Sequence, residues 1–223
     1  IHIWSWDATE TASPDYNIIS GNTIGPGTGD APHKYGIEIK TGQHNEVTGN
    51  TITGAQWAAI HLYTSHVMAP ENNFDPRPAN NTISNNTIIG GEVGIALLEG
   101  AKNNTVSNNN ISSTTVAGIL GSLSRWPTDW PSGLSSGLIG TPEQYLQIVD
   151  NIIENNILDN CGHGIAMQYG DDNSLTGNTI ENNTSTININ YHNISFAADF
   201  AGVYFDLNSE GNVAHFNNIT GNT

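Results

Sequence analysis

The sequence predicts an all-β solenoid, a single-stranded parallel β-helix of about seven coils. Two recurring motifs and one absence predict it. The first motif is Asn, any residue, an aliphatic, two residues, Asn, any residue, Ile or Leu. The second is Gly or Ala, an aliphatic, any residue, an aliphatic. Helical periodicity is nearly absent, so the short period-2 segments read as strands.

The first motif begins as NIISGNTI at Asn17, NEVTGNTI at Asn45, NTISNNTI at Asn81 and NTVSNNNI at Asn104. It continues as NIIENNIL at Asn151, NSLTGNTI at Asn173 and a weaker NVAHFNNI at Asn212, where NNITGNT from Asn217 offers a competing register. The second Asn falls at 22, 50, 86, 109, 156, 178 and 217, and the shortest steps, 23 and 22 residues, give the length of a coil. Longer steps are the same coil with insertions, expected near 5–16, 25–35, 64–80, 121–149 and 183–200. The second motif reads GIEI at Gly36, AIHL at Ala59, GIAL at Gly94, GILG at Gly118, GIAM at Gly164 and GVYF at Gly202. Ile1-His2-Ile3 looks like the same strand without its glycine.

Each motif residue has a mechanical part. Coils stack about 4.8 Å apart, so equivalent Asn amides lie one above another and can each donate to one neighbour and accept from the other. The alternate aliphatics stack inside as the core. Gly before the second strand is expected to permit a turn closed to residues with a β-carbon. The lone Cys161 reads as a small buried hydrophobe and excludes disulfides and Cys-based zinc sites.

These repeats resemble the right-handed parallel β-helix repeat superfamily over nearly the whole chain. That group includes carbohydrate-binding and sugar-hydrolase-type helices and repeats labelled periplasmic copper-binding. The resemblance implies right-handed coiling. It leaves function open, because the matching residues are structural.

Composition narrows the partners. Only 5 Lys and Arg stand against 21 Asp and Glu, a net charge of −16, which disfavours nucleic acid. All five cations (Lys34, Lys40, Arg77, Lys102, Arg125) precede residue 126, so an anionic ligand should sit in the N-terminal half. No run of 18 apolar residues offers a membrane span. Eight Asn-x-Ser/Thr sequons permit glycosylation without demonstrating it. The chain opens inside a strand and stops in an unfinished motif, and open solenoid ends need caps. A longer chain with flanking domains, or self-assembly, is therefore expected.

Function is expected on the outer face of the second-motif strands, where alternate residues align from coil to coil. One row reads His2, Glu38, His61, Ala96, Leu120, Ala166, Tyr204. The next reads Trp4, Lys40, Tyr63, Leu98, Ser122, Gln168, Asp206. Chemistry-bearing residues gather in the first three coils, and these rows should face solvent. The inserts border this face and carry Arg77, Trp126 and Trp130, with Trp57 beside the strand. Such tryptophans suit sugar stacking, and equally suit sealing loops onto the helix.

Glycoside hydrolysis needs paired carboxyls, and Glu38 has only histidines as coil neighbours. Proton abstraction from a uronic acid fits better, since it needs a base, an acid and a cation on the sugar carboxylate. Lys40, His61, Tyr63 and Glu38 supply those types, with Lys40 or Arg77 as the cation and His61 or Tyr63 as the base. His2, Trp4, Trp57, Arg77, Trp126, Trp130, Tyr204 and Asp206 would contact substrate. In residue type the set resembles β-helical polysaccharide lyases and uronate epimerases. FDPRP at Phe74 is similar to an epimerase-like Asp-Pro element but lacks its His. The plainer reading is solvated surface, with Glu38 and Lys40 in weak ion pairs. No metal site is assigned; Asp171-Asp172-Asn173 reads as a calcium-ligand turn or a solvated corner. The expected partner is a polysaccharide, outside the cell or at its surface. The rival is a non-catalytic surface-layer, adhesin or sheath solenoid; a glycoside hydrolase or a metal-delivery helix ranks below both.

Overall fold

The computed structural model describes residues 1–3, 14–26, 34–64, 77–122, 147–184, 188–191, 194–197, 202–205 and 209–223. Within them the chain winds through three seven-stranded sheets, all parallel, each coil adding one strand to every sheet. The first sheet holds the second-motif strands, from His2–Ile3 through Tyr35–Lys40, Ala58–Tyr63, Val93–Leu98, Ala117–Ser122 and His163–Met167 to Val203–Phe205. The two halves of the Asn motif form the second and third sheets, as in Glu46–Thr48 and Thr51–Thr53. Seven coils result, as the repeat count requires. The last coil pairs through Leu175↔Ala214 and Ile180↔Ile219, so NVAHFNNI is the true register and NNITGNT is not.

The interior is a column of stacked aliphatics. Each three-residue strand of the inner coils sends only its central residue inside: Val47, Ile83, Val106, Ile153 and Leu175 on one wall, and Ile52, Ile88, Ile111, Leu158 and Ile180 on the next. Full burial of one such side chain contributes about 1.5–3 kcal/mol. This main core sits inside the coil, and each rung stabilises the next.

The Asn residues form two continuous ladders. In the first, the amide Nδ2 of Asn17, Asn45, Asn81, Asn104, Asn151 and Asn173 donates to Oδ1 of the next coil's Asn, ending at Asn212, over 2.9–3.0 Å. In the second, Asn22, Asn50, Asn86, Asn109, Asn156 and Asn178 do the same, ending at Asn217. The backbone N–H of the donor reaches the same oxygen, for example Asn86 N to Asn109 Oδ1 at 3.0 Å. Nδ2 also returns to the coil before, as Asn109 does to the Ile83 carbonyl at 2.9 Å. Each inner amide thus joins three consecutive coils.

A third, shorter ladder was not anticipated. Cys161 N and Asn183 N donate to Asn183 Oδ1 and Asn222 Oδ1 respectively. Cys161 takes an Asn place there, with Sγ directed at the Ile111 carbonyl. Its thiol is buried as expected, and burial pushes its pKa up.

The residue before each Asn of the first two ladders has positive φ. Before the second these are Gly21, Gly49, Asn85, Asn108, Asn155, Gly177 and Phe216, at φ 54–66°. That left-handed conformation costs about 1–2 kcal/mol for ordinary residues, less for Asn, and little for Gly. Gly-Asn and Asn-Asn pairs therefore mark the corners.

The second-motif glycines correct an expectation. Gly36, Gly94, Gly118 and Gly164 lie inside the strands, Gly202 directly before its strand, and the reason for them is space. A Cβ on Gly36 would meet Ile52 Cγ2 at 2.6 Å and the Ala59 carbonyl at 2.7 Å; one on Gly94 would meet Ile111 Cγ2 and the Gly118 carbonyl at 2.5 Å. Both Gly36 and the following Ile37 face the interior, so alternation breaks at this point. Tyr35, Ala58, Val93 and Ala117 are accordingly thrown to the outside cluster.

Candidate functional site

Among the described residues the two outer rows stack as read from the sequence. Strand pairing places His2 beside Glu38, Glu38 beside His61, and then Ala96, Leu120, Ala166 and Tyr204 in turn. Lys40 pairs with Tyr63 and Leu98 with Ser122, whose Oγ donates to Gln168 Oε1 at 2.8 Å.

The expected solvent exposure of these rows is overturned. Ala96, Leu98, Leu120 and Ala166 are fully buried and form a second apolar cluster outside the coil. Half-buried Tyr35, Trp57, Tyr63, Val116 and Tyr204 pack against it. His61 is only 3% exposed. The outer face is a packed layer, with Glu38, His2 and His61 at its N-terminal end and the buried His163 and the Ser122–Gln168 pair farther along.

Glu38 is the hub of that end. His2 Nδ1 lies 3.1 Å from its Oε2, and His61 Nδ1 lies 3.6 Å from its Oε1. Burial pushes the Glu38 carboxyl up; the N–H of His61, the nearby His2 and the Tyr63 hydroxyl outweigh it and leave it below its usual value. Glu38 is therefore a carboxylate at neutral pH. Burial lowers the pKa of His61 against the opposing pull of Glu38, so its ring stays neutral.

Rings bracket His61 on both faces. Tyr35 stacks on it at 4.3 Å and 3°, and Tyr63 at 4.8 Å and 22°. Trp57 meets Tyr35 edge-on at 5.6 Å, and Lys34 Nζ sits 4.3 Å above the Trp57 ring. At the other end Lys40 Nζ stands 6.0 Å from the Tyr63 ring. The Tyr35 phenol is raised well above its ordinary pKa by burial and by the charge of Glu38.

Sequence reasoning missed Tyr35 and Lys34. Strict alternation from Ile37 puts Tyr35 inside, and only the break at Gly36 brings it out. Its signal was an aromatic directly before the small residue of the motif.

His2, Glu38, Lys40, Trp57, His61 and Tyr63 thus converge. The side chain of His2 is 56% exposed, and Lys40 and Tyr63 are half-buried. Tyr204 lies on the same row but four coils beyond His61. Arg77 enters at a different corner, before Pro78 and Ala79, where Ala79 bridges Gln43 and Lys102. Trp4, Trp126, Trp130 and Asp206 lie outside the described residues. Asp171 Oδ1 accepts from Glu210 N at 2.8 Å and Asn173 belongs to the first ladder, which gives that turn a structural role. Among the described residues no group of three or more His, Cys, Asp and Glu is arranged to hold a metal ion.

Comparison with known families settles the architecture: the right-handed β-helix region family matches residues 15–219. The chain belongs to this right-handed β-helix family. Neither the curated proteins nor the solved structures compared with the chain give a match. Membership fixes the coil and its hand, and the parallel sheets agree with it. No helix among the described residues is long and apolar enough to cross a membrane.

Proposed function

We propose that this β-helix acts on an acidic polysaccharide, outside the cell or at its surface, by removing the proton next to a uronate carboxylate. The observation that carries the reading is the Glu38 carboxylate held between His2 and His61, beside the Lys40–Tyr63 pair. Lys40 neutralises the sugar carboxylate, which makes the adjacent C–H more acidic. His2 and Tyr63 reach solvent two strand spacings apart, about 9.6 Å along the rod, and a sugar ring fits between them. One takes the proton; the other returns a proton to the opposite face of that carbon, or gives it to the departing glycosidic oxygen. In elimination the C–H electron pair forms the C4–C5 double bond as the C4–O bond breaks. Glu38 and buried His61 do not touch substrate. They orient His2 and Tyr63 and hold the local charge.

The test is incubation with a panel of uronate polymers in D2O. Ultraviolet absorbance reports the unsaturated product of elimination; loss of the C5 proton signal without absorbance reports epimerisation. Silence in both across the panel rejects the reading.

A second reading rests on the enclosure of His61 between Tyr35 and Tyr63, which also suits a purely structural layer. In that case the solenoid is a non-catalytic spacer or adhesin, and glycan binding without turnover is the expected result.

A further inference from the structure

At the corner before the first ladder, two aromatic residues occupy a backbone conformation that the other coils fill with Asn, Asp or Gly. The position before the first ladder holds Tyr16 and His44 in the first two coils, at φ 58° and 54°. Further along the rod the same position carries Asn80, Asn103, Asp150, Asp172 and Gly211. The conformation is enforced from outside the residue. Tyr16 N donates to the Gln43 carbonyl at 3.2 Å, Asp15 Oδ1 accepts from Gln43 N at 2.7 Å, and Asn17 is clamped to Asn45.

Burial does not explain the choice. Tyr16 is 74% exposed, and its ring stacks on His44 at 5.0 Å and 4°. Strained residues cluster at binding and active sites, and here the strain comes with a pair of stacked, exposed rings.

The two rings edge a trough of about 400 Å³ on the corner that leads into the second sheet, away from Glu38. One side is the row Tyr16, His44, Asn80; the other is the paired row Ile18, Glu46, Thr82. Ile18 is 69% exposed and pairs with Glu46. The trough runs along the rod axis across three coils, so its contacts repeat at about 4.8 Å, close to the advance of one sugar unit in an extended chain.

We infer that this trough binds an uncharged hexose chain. Tyr16 and Ile18 offer apolar surface for the C–H faces of the sugars, and Asn80, Thr82, His44 and Glu46 offer partners for hydroxyls. Glu46 is its only Lys, Arg, Asp or Glu, so a uronate is repelled. The site is independent of the uronate chemistry proposed for Glu38.

The test uses saturation-transfer NMR and calorimetry with cellotetraose, mannotetraose and trigalacturonate, on the intact chain, Tyr16→Gly and His44→Asn. Both substitutions suit a positive φ, so each variant is expected to melt at the same temperature as the parent or higher. One neutral tetraose should bind the parent, and each variant should lose about tenfold in affinity, the value of one aromatic contact. The inference is overturned by the absence of binding by both neutral tetraoses at millimolar concentration. Unchanged affinity in both variants, equal binding of trigalacturonate, or a lower melting temperature in both variants also overturns it.

Discussion

Asn109 and Asn156 are 47 residues apart in sequence and joined twice: the Asn109 backbone N–H and its Nδ2 both donate to Asn156 Oδ1 at 3.0 Å. The amide oxygen of Asn109 in turn receives both donors of Asn86. Side chain and main chain are held in one bond pattern that repeats at each corner.

Replacing Asn109 by Ala should therefore be severe. It strands buried donors on Asn86 and leaves Asn156 Oδ1 and the Ile83 carbonyl short of a partner, at about 1–3 kcal/mol for each group. A loss of at least about 3 kcal/mol is expected by urea unfolding. Asn217→Ala, at the end of its ladder and part-exposed, should cost about 1 kcal/mol. Equal losses at the two positions would contradict the ladder account.

Glycines of the two classes should respond oppositely. Gly94→Ala forces a methyl into Ile111 and the Gly118 carbonyl, and should destabilise by about 1–3 kcal/mol. Gly49 has φ +64° and open space around it, and its counterparts in other coils are Asn85, Asn108 and Asn155. Gly49→Asn should change stability by less than about 0.5 kcal/mol. Thermal melts of the two variants side by side decide this.

Acid should weaken the protein in two stages. His61 has its pKa lowered by burial, so below pH 6.5 the unfolded chain binds more protons than the folded one and stability falls. Glu38, held below its usual value, adds a second loss as pH drops under 4.5. In His61→Phe, which keeps a ring between Tyr35 and Tyr63, the decline beginning near pH 6.5 should disappear. The readout is melting temperature against pH, and a parallel slope in the variant would refute the assignment.

If the uronate chemistry holds, Lys40→Met should lower kcat/KM about 100-fold with the melting temperature nearly unchanged, since Lys40 lies at the edge of the layer. Tyr63→Phe keeps the stacking on His61 and removes only the hydroxyl. It should depress kcat more than it raises KM. Steady-state kinetics on the most reactive polymer separate the two effects.

The coil count, the strand pairing and both long ladders were legible in the sequence, because spacing between Asn residues survives insertions. The row His2–Glu38–His61 followed from the same register. Burial of that row did not, because what covers a strand's outer face is absent from the strand's own alternation. A hint was present in Ala96, Leu98, Leu120 and Ala166, apolar residues where solvent-facing strands carry polar ones. The short ladder at Cys161, Asn183 and Asn222 escaped because only two members are Asn, although each of these follows the second-ladder Asn by five residues. Tyr16 and His44 escaped because they keep the corner's spacing while breaking its composition.

The corner bond is indifferent to how much chain intervenes, being the same across 22 residues from Asn151 to Asn173 and across 47 from Asn104 to Asn151. The rod is consequently graduated like a ruler. Excising residues 152–173 would carry Asn151 straight into Ser174 and let its amide meet Asn212, shortening the molecule by one whole mark. Its length can change only in whole marks, and the cluster around Glu38 would not register the cut.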